Sequence, residues 1–152
     1  MKTSIAKIIK KIIKPLVIIL PLAVVLAGCS ESEPKVGMRW YTPSQLELGK
    51  QVFLDNCATC HGAKAQGVKT WRKPLSNGKY PPPPLNGSAH AWHHSLKNLK
   101  ATVKEGGTKF GGTMPGFGSK LTPSEQEATI SYFQSHWTKE TYAAWIKRGG
   151  LL

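Results

Sequence analysis

Two segments of the chain carry apolar residues at helical spacing, and each is preceded by the same start signal. Residues 42–45 (Thr-Pro-Ser-Gln) and 122–125 (Thr-Pro-Ser-Glu) place an N-cap threonine before a proline, with Gln or Glu at the third helical position. The first helix is predicted to end near Cys57 and the second near His136. Their apolar rows are Leu46, Gly49, Val52, Phe53 and Cys57, and then Ile130, Phe133 and Trp137 with Ala128 and Tyr132 beside them.

The chain between these helices has few periodic segments and many residues that favour turns. Glycines, an Asn-Gly pair and the four prolines of residues 81–84 predict loops over most of residues 62–90. A third helix is predicted over about Ala91–Glu105, and residues 141–152 are predicted to form a partly helical tail that packs one or two aromatic side chains. Strand signals are few, so we expect an all-α fold.

The amino-terminal residues form a separate segment. Five lysines precede an apolar run over residues 15–26, which ends in Leu-Ala-Gly-Cys29. This order is typical of a secretory signal, and its end resembles the lipobox of bacterial lipoproteins, in which the cysteine is acylated. The alternatives are a membrane-spanning anchor, for which residues 15–28 are short of the usual ~20, and an amphipathic surface helix over residues 7–14. We therefore expect a signal peptide over residues 1–28 and a flexible tether over residues 29–41.

The strongest chemical motif is Cys57-Ala58-Thr59-Cys60-His61. Two cysteines three positions apart, followed at once by histidine, form the attachment pattern of a c-type haem, in which the histidine ligates the iron. A zinc knuckle would need a second ligand pair, and a redox dithiol would not need the trailing histidine. One covalent haem c and one lipid account for all three cysteines of the chain.

Charge changes the expected partners. The formal net charge is +13, and removal of residues 1–28, which carry five lysines and no acidic residue, leaves +8. Such a protein suits acidic patches on partner proteins or an anionic lipid surface. A secreted chain does not meet nucleic acid, so nucleic-acid binding is not expected. Residues 29–152 are enough for one domain.

The second axial ligand of the iron is sought among methionines and histidines. Met114 lies in a glycine-rich loop just before the last predicted helix and is the favoured ligand, whereas Met38 lies in the tether. His90, His93 and His94 have the spacing of one helical face and are the alternative, either as a second metal site or as a polar helix start. His136, near the end of the last helix, is assigned a structural role.

Taken together, these residues resemble a class I, mono-haem bacterial cytochrome c from about Ser44 to Trp137. The resemblance rests on Gly49 and Phe53 before the haem motif, on residues 83–85 (Pro-Pro-Leu), on Met114-Pro115 and on residues 130–133 of the last helix. It implies an all-α fold of three to five helices around one haem, in which Gly49 allows the first and last helices to cross closely. It also implies that the carbonyl of Pro83, or alternatively of Pro84, accepts a hydrogen bond from His61.

The expected domain spans residues 42–140, with residues 141–152 as a tail. In this framework Trp92 is the candidate donor to a haem propionate. The resemblance implies an electron carrier, not an enzyme. With the lipobox-like end of the signal at Cys29, and Ser30 after it, we expect this carrier to be lipid-anchored in the cell envelope, to face the periplasm and to lie at the outer membrane. The alternatives are a haem peroxidase or gas-binding protein with an open sixth site, and a copper-handling protein that uses His90, His93 and His94.

Overall fold

A computed structural model describes residue 33 and residues 35–152. The signal peptide expected over residues 1–28, Cys29 and most of the first half of the tether lie outside the described residues. Within the described part, five α-helices account for the regular structure and no strand longer than an isolated bridge occurs. The expected all-α class is therefore confirmed. No helix among these residues has the length and apolar character needed to cross a membrane.

The helices are α1 (Pro43–Asn56), α2 (Ala58–His61), α3 (Leu96–Glu105), α4 (Pro123–Ser135) and α5 (Lys139–Lys147). The starts predicted for α1 and α4 are confirmed, because Thr42 and Thr122 each form a capping box with the residue three positions on. The third helix begins later than predicted. Residues 91–93 form a 3₁₀ turn, and α3 starts only after Ser95, whose side chain caps Asn98.

The core is built where α1 packs against α4. Gly49 is buried at this crossing, and a Cβ atom placed on it would lie 1.9 Å from the carbonyl oxygen of Ala128. Only hydrogen fits between the two backbones, so the glycine sets how closely these helices approach. Next to the crossing, the hydroxyl of Ser131 donates to the carbonyl of Ala128 at 2.6 Å, and Phe53 and Ile130 are fully buried.

The carboxyl-terminal helix belongs to this core. The boundary expected at residue 140 falls inside α5, whose Trp145 is only 1% exposed and whose Tyr142 is also buried. The indole N–H of Trp145 donates to the carbonyl of His94 at 2.8 Å, and that of Trp137 donates to the carbonyl of Leu85 at 2.7 Å. The C-terminal residues thus hold both ends of the segment 85–94.

The end of the expected tether also packs down, in part. Tyr41 is buried, and the backbone N–H of Trp40 donates to the hydroxyl of Tyr142 at 3.0 Å. The guanidinium of Arg39 lies over the Tyr142 ring and donates to the carbonyl of Trp137 at 2.9 Å. Met38, in contrast, is 96% exposed. Residues 39–41 of the expected tether therefore belong to the folded domain, and Glu33 also contacts it by accepting a hydrogen bond from the backbone N–H of Ser44 at 3.1 Å.

The crossing of α1 and α4 predicts the effect of a larger residue at Gly49. Gly49→Ala should destabilise the protein by about 1–3 kcal/mol, because the added methyl group forces the two helices apart. The free energy of unfolding, measured by denaturant titration, checks this. Gly107→Ala is the matched control, since its Cβ would meet only Met114 Cβ at an ordinary 3.5 Å. Equal effects of the two substitutions would contradict the crossing argument.

Candidate functional site

A cavity of about 960 Å³ lies between α1, α3 and α4 and the long loops that connect them. Cys57, Cys60, His61 and Met114, which the sequence places in separate segments, all line it. Its remaining walls are largely apolar, with Phe53, Leu99, Val103, Phe117 and Phe133 among the lining residues. The volume is in the range that proteins use for cofactors.

The turn that joins α1 to α2 forms the part of the cavity wall that carries Cys57, Cys60 and His61. Phe53 anchors the end of α1, and Cys57 caps it through a backbone hydrogen bond to the Phe53 carbonyl at 2.8 Å. The short helix α2 then carries Cys60 and His61 round to the cavity. Burial, reinforced by the neighbouring thiol of Cys60, raises the pKa of Cys57 to about 11, although Lys120 acts against this shift. Cys60 is exposed.

His61 is held in one orientation. Its Nδ1 lies 2.9 Å from the carbonyl oxygen of Pro83, and because that oxygen can only accept, Nδ1 carries the proton. The other nitrogen, Nε2, therefore keeps its lone pair for a metal. Burial lowers the pKa of His61 below its usual value, and the hydrogen bond to Pro83 acts against this shift. Of the two prolines considered from the sequence, the bond is made by Pro83.

The loop around Pro83 fits closely against the histidine. The backbone N–H of Gly67 donates to the His61 carbonyl at 2.7 Å. Gly67 has a φ of +58°, and a Cβ atom there would lie 2.4 Å from the carbonyl carbon of Pro83. The glycine thus allows the loop after α2 to pass between the histidine and the proline run.

Met114 lies on a separate segment, in a loop attached to the end of α3. The N–H of Gly107 donates to the Met114 carbonyl at 3.0 Å, and the N–H of Phe117 donates to the carbonyl of Val103 at 2.9 Å. Gly106, at the C-terminus of α3, has a φ of +85° and no room for a Cβ atom, which would lie 2.7 Å from the Met114 carbonyl oxygen. These contacts fix the backbone on both sides of the methionine.

The three histidines do not share a helical face. His90 precedes the 3₁₀ turn of residues 91–93 and His94 follows it, and these two line the cavity whereas His93 does not. No group of three His, Cys, Asp or Glu side chains within residues 33 and 35–152 is arranged to hold a metal. The geometry therefore gives no support to the second metal site considered from the sequence.

Trp92, the expected propionate donor, is not among the residues that line the cavity. The turn of residues 91–93 directs Ala91 inward and sets Trp92 edge-on against His93, with 4.1 Å between the ring centroids. Trp71 and Arg72 line the cavity instead, and the Trp71 ring stacks on His90 at 5.2 Å. The sequence analysis identified neither residue. A signal for Arg72 exists, because residues 56–104 contain eight Lys or Arg and no Asp or Glu and therefore form a strongly basic segment.

The donor set and the shape of the cavity fit a haem c. Two cysteines and a neutral histidine line one part of the cavity, and a thioether lies on a separate loop. No Asp or Glu lines it, whereas Arg72 and Lys109 do, which suits a cofactor with two carboxylates. Thr129 is 2% exposed and lines the same cavity, and its hydroxyl has no hydrogen-bond partner within the protein, as expected beside a buried cofactor or water.

The chain matches one protein family. A family model described as Cytochrome c matches residues 46–137, which is more than half of the chain. This range begins in α1, includes the Cys57–His61 motif and Met114, and ends after α4.

Three curated relatives are similar to more than half of this chain. The Cbb3-type cytochrome c oxidase subunit FixP of Sinorhizobium medicae is 31% identical over an alignment of 96 residues, which covers 59% of this chain and 29% of the relative. The subunit of the same name from Azorhizobium caulinodans is 33% identical over 92 residues, 57% of this chain and 28% of the relative. A protein named thiosulfate dehydrogenase from Stutzerimonas stutzeri is 32% identical over 93 residues, 58% of this chain and 26% of the relative.

The matched region thus spans less than a third of the length of each of these three relatives. No solved structure matches the chain.

The surroundings of His90 predict how stability depends on pH. Burial, followed by the charges of His94, His93 and Arg72, lowers the pKa of His90 from its usual 6.5. Below pH ~6.5 the unfolded chain therefore binds a proton at this position more readily than the folded protein does, so stability falls as the pH drops. His90→Gln removes this contribution.

Denaturant unfolding at about pH 7.5 and pH 5 measures it. The His90→Gln variant should lose less free energy of unfolding between the two pH values than the unmodified protein. An equal loss in both proteins would show that His90 titrates alike in the folded and unfolded states.

Proposed function

The chain belongs to the cytochrome c family, and we propose that it is a membrane-tethered, mono-haem electron carrier of class I whose iron is ligated by His61 and Met114. The family binds haem c covalently, and Cys57 and Cys60 are spaced for the two thioether bonds. The observation that carries the ligand assignment is the hydrogen bond from His61 Nδ1 to Pro83 in the cavity that Met114 also lines.

Haem c, when bound, supplies an iron that takes up and gives up one electron. His61 and Met114 would hold this iron, and the residues around the cavity position both side chains. Pro83 orients the imidazole of His61 and increases its basicity, while the hydrogen bonds to residues 103–107 hold the backbone of the Met114 loop. Rigid ligands suit electron transfer, because neither side chain has to move between the ferric and ferrous states. A thioether ligand also raises the reduction potential.

The second candidate function is an enzyme or gas-binding protein in which the sixth site is open to peroxide or nitric oxide. One relative is named thiosulfate dehydrogenase, so turnover of a small substrate remains the alternative. Two relatives are named as subunits of Cbb3-type cytochrome c oxidases, which favours electron transfer between proteins. The placement of Met114 in the cavity favours the carrier, since a methionine ligand closes the sixth site.

We place the protein in the cell envelope, lipid-anchored through Cys29 and facing the periplasm. Covalent attachment of haem c in bacteria takes place outside the cytoplasmic membrane, and the Leu-Ala-Gly-Cys29 sequence after a short apolar run supports a lipoprotein. Ser30 after the cysteine favours the outer membrane. The partners are redox proteins, and the net charge of +8 without residues 1–28 favours acidic surfaces on them.

The ligand assignment predicts the spectrum of a methionine variant. Met114→Ala should make the iron high-spin, remove the weak red absorption band of methionine-ligated ferric haem and allow carbon monoxide to bind the ferrous protein. Absorption spectra of the reduced protein with and without carbon monoxide measure this. Met38→Ala is the control, because Met38 is almost fully exposed. If Met38→Ala causes these changes and Met114→Ala does not, the assignment is wrong; carbon monoxide binding by the unmodified protein would favour the enzyme.

The lipid anchor predicts the fate of a cysteine variant. Cys29→Ser should leave an unprocessed precursor, or release a soluble protein that keeps its haem, because the acylated thiol is the membrane attachment. Fractionation of cells and mass spectrometry of the N-terminal peptide measure this. An unmodified Cys29 with residues 1–28 still attached would exclude the lipoprotein.

A further inference from the structure

Residue 33 and residues 35–41, here called the N-terminal segment, are bound to the domain at both ends. At the first end, the carboxylate of Glu33 accepts hydrogen bonds from the backbone N–H of Ser44, at 3.1 Å, and from its hydroxyl. Ser44 lies in the first turn of α1, where the helix dipole favours a negative charge. The hydrogen bond from the Ser44 hydroxyl lowers the pKa of Glu33, so the bound carboxylate is ionised at neutral pH.

The second end of the N-terminal segment binds the core. The guanidinium of Arg39 lies 4.0 Å from the centroid of the Tyr142 ring and donates to the carbonyl of Trp137. Beside it, the indole N–H of Trp40 donates at 2.7 Å to the side-chain carbonyl of Gln134, which is fully buried. Because these partners belong to α4, to α5 and to the turn between them, the segment is attached to the most rigid part of the domain.

Between the two ends the chain forms a turn that exposes one apolar side chain. The N–H of Arg39 donates to the carbonyl of Val36 at 2.9 Å, and the N–H of Val36 donates to the carbonyl of Tyr41 at 2.9 Å. Gly37 allows this turn, since its φ is +54°. Met38 follows it and is 96% exposed, the largest exposed fraction among the large apolar side chains that the structure describes. This side chain contributes nothing to the packing of the domain.

The N-terminal segment leaves a short connection between the proposed anchor and the domain. Residues 30–32 separate Cys29 from Glu33 in the sequence. At about 3.5 Å per residue, the connection from Cys29 to Glu33 spans no more than ~14 Å. The headgroup layer of a bilayer takes up about 5–7 Å of this distance. A domain joined to an acylated Cys29 in this way contacts the membrane surface.

The cavity lies at the other end of α1. Ser44, which binds Glu33, is at the N-terminus of this helix, whereas Asn56 and Cys57 at its C-terminus line the cavity. At a rise of 1.5 Å per residue, Ser44 and Cys57 are about 20 Å apart along the helix. No residue of the N-terminal segment lines the cavity. A bilayer at this segment therefore leaves the cavity open to a partner.

We propose that the anchored domain rests on the bilayer through residues 35–38, with Met38 at the boundary between the headgroups and the hydrocarbon. This inference rests on the lipid anchor of the proposed function. Lipid is the surface expected here, because the acylated Cys29 enters the bilayer no more than ~14 Å from Glu33. Met38 is apolar and unbranched, which suits the irregular packing at this boundary. Lys35 is exposed in the same turn and places its ammonium group among the lipid phosphates.

The first test uses the haem-loaded, acylated protein on vesicles of phosphatidylethanolamine and phosphatidylglycerol. Met38→Cys introduces a free thiol at the turn, whereas the native cysteines are bonded to haem and to lipid. A charged maleimide that stays in water labels this thiol. Leu152→Cys is the matched control, because Leu152 is apolar, 87% exposed and outside the N-terminal segment. Each variant is also made as an unlipidated form that begins at Ser30.

The rate constant for labelling the Met38→Cys variant should be about tenfold lower on the vesicles than in the unlipidated form, because headgroups cover residue 38. That of the Leu152→Cys variant should change by less than about twofold, because Leu152 stays in water. Equal rate constants for the two forms of the Met38→Cys variant would overturn the proposal. Protection in native membranes but not on lipid vesicles would assign the turn to a protein partner and overturn it as well.

The mass of the N-terminal peptide separates this proposal from the proposed function. A lipidated peptide together with an unprotected thiol at position 38 would overturn the membrane contact alone. A peptide without lipid would overturn both the anchor and the membrane contact. The electron-carrier function is judged independently, by reversible one-electron reduction of the unlipidated form.

A second test examines whether the N-terminal segment orients the domain. Linear dichroism of the haem absorption band, measured with polarised light on a supported bilayer, reports the tilt of the haem plane. Glu33→Ala combined with Arg39→Ala removes the contacts at both ends of the segment. The control, Glu47→Ala combined with Lys50→Ala, removes the same charges from an exposed ion pair of 3.7 Å elsewhere on α1.

The unmodified protein and the control variant should show the same dichroism, and the variant without the two contacts should lose at least about half of it, because a longer connection lets the domain rotate. Glu33→Ala alone changes an exposed residue and keeps the core contacts of Arg39, so it should fold normally and lose part of the dichroism. Dichroism that is equal in the control and in both of these variants would overturn the proposal.

Discussion

The hydrogen bond between His61 and Pro83 connects the two halves of the site. It fixes the imidazole with Nε2 directed away from the proline, and it holds the proline run against the turn that carries both cysteines. Gly67 fits between these segments, and the backbone N–H of Val68 donates to the carbonyl of the adjacent Pro82 at 3.0 Å. The orientation of His61 and the path of the loop after α2 are thus set by the same few residues.

The rest of the fold positions the Met114 loop, which forms another part of the cavity wall. The close crossing of α1 and α4 at Gly49 supports the side of the cavity that carries the cysteines. The Met114 loop is attached to α3 by backbone hydrogen bonds. A protein with so few regular elements around a large cavity has a small core of its own. Its covalent cofactor therefore contributes apolar bulk to folding as well as redox chemistry.

The sequence predicted what depends on local chemistry. The capping boxes at Thr42 and Thr122, the haem motif and the bond from His61 to Pro83 all follow from neighbouring residues or from the family resemblance. It did not predict what depends on the path of the chain. Whether Trp92 or Trp71 reaches the cavity is decided by the 3₁₀ turn of residues 91–93. The sequence did predict a partly helical tail that packs aromatic side chains, but not that Trp145 binds the carbonyl of His94, which lies about 50 positions away.

The indole contacts of Trp137 and Trp145 bear on where this domain ends as a folding unit. The region shared with the family stops at residue 137, yet the wall segment 85–94 is held at its far end by Trp145, and the N–H of Leu96 donates to the carbonyl of Gly150 at 2.6 Å. A fragment or gene fusion that ends at residue 137 would retain every motif residue and the contact of Trp137 with Leu85. It would lose the contact of Trp145 with His94. The region of family homology therefore ends at residue 137, whereas the contacts that complete the folded domain extend to Gly150.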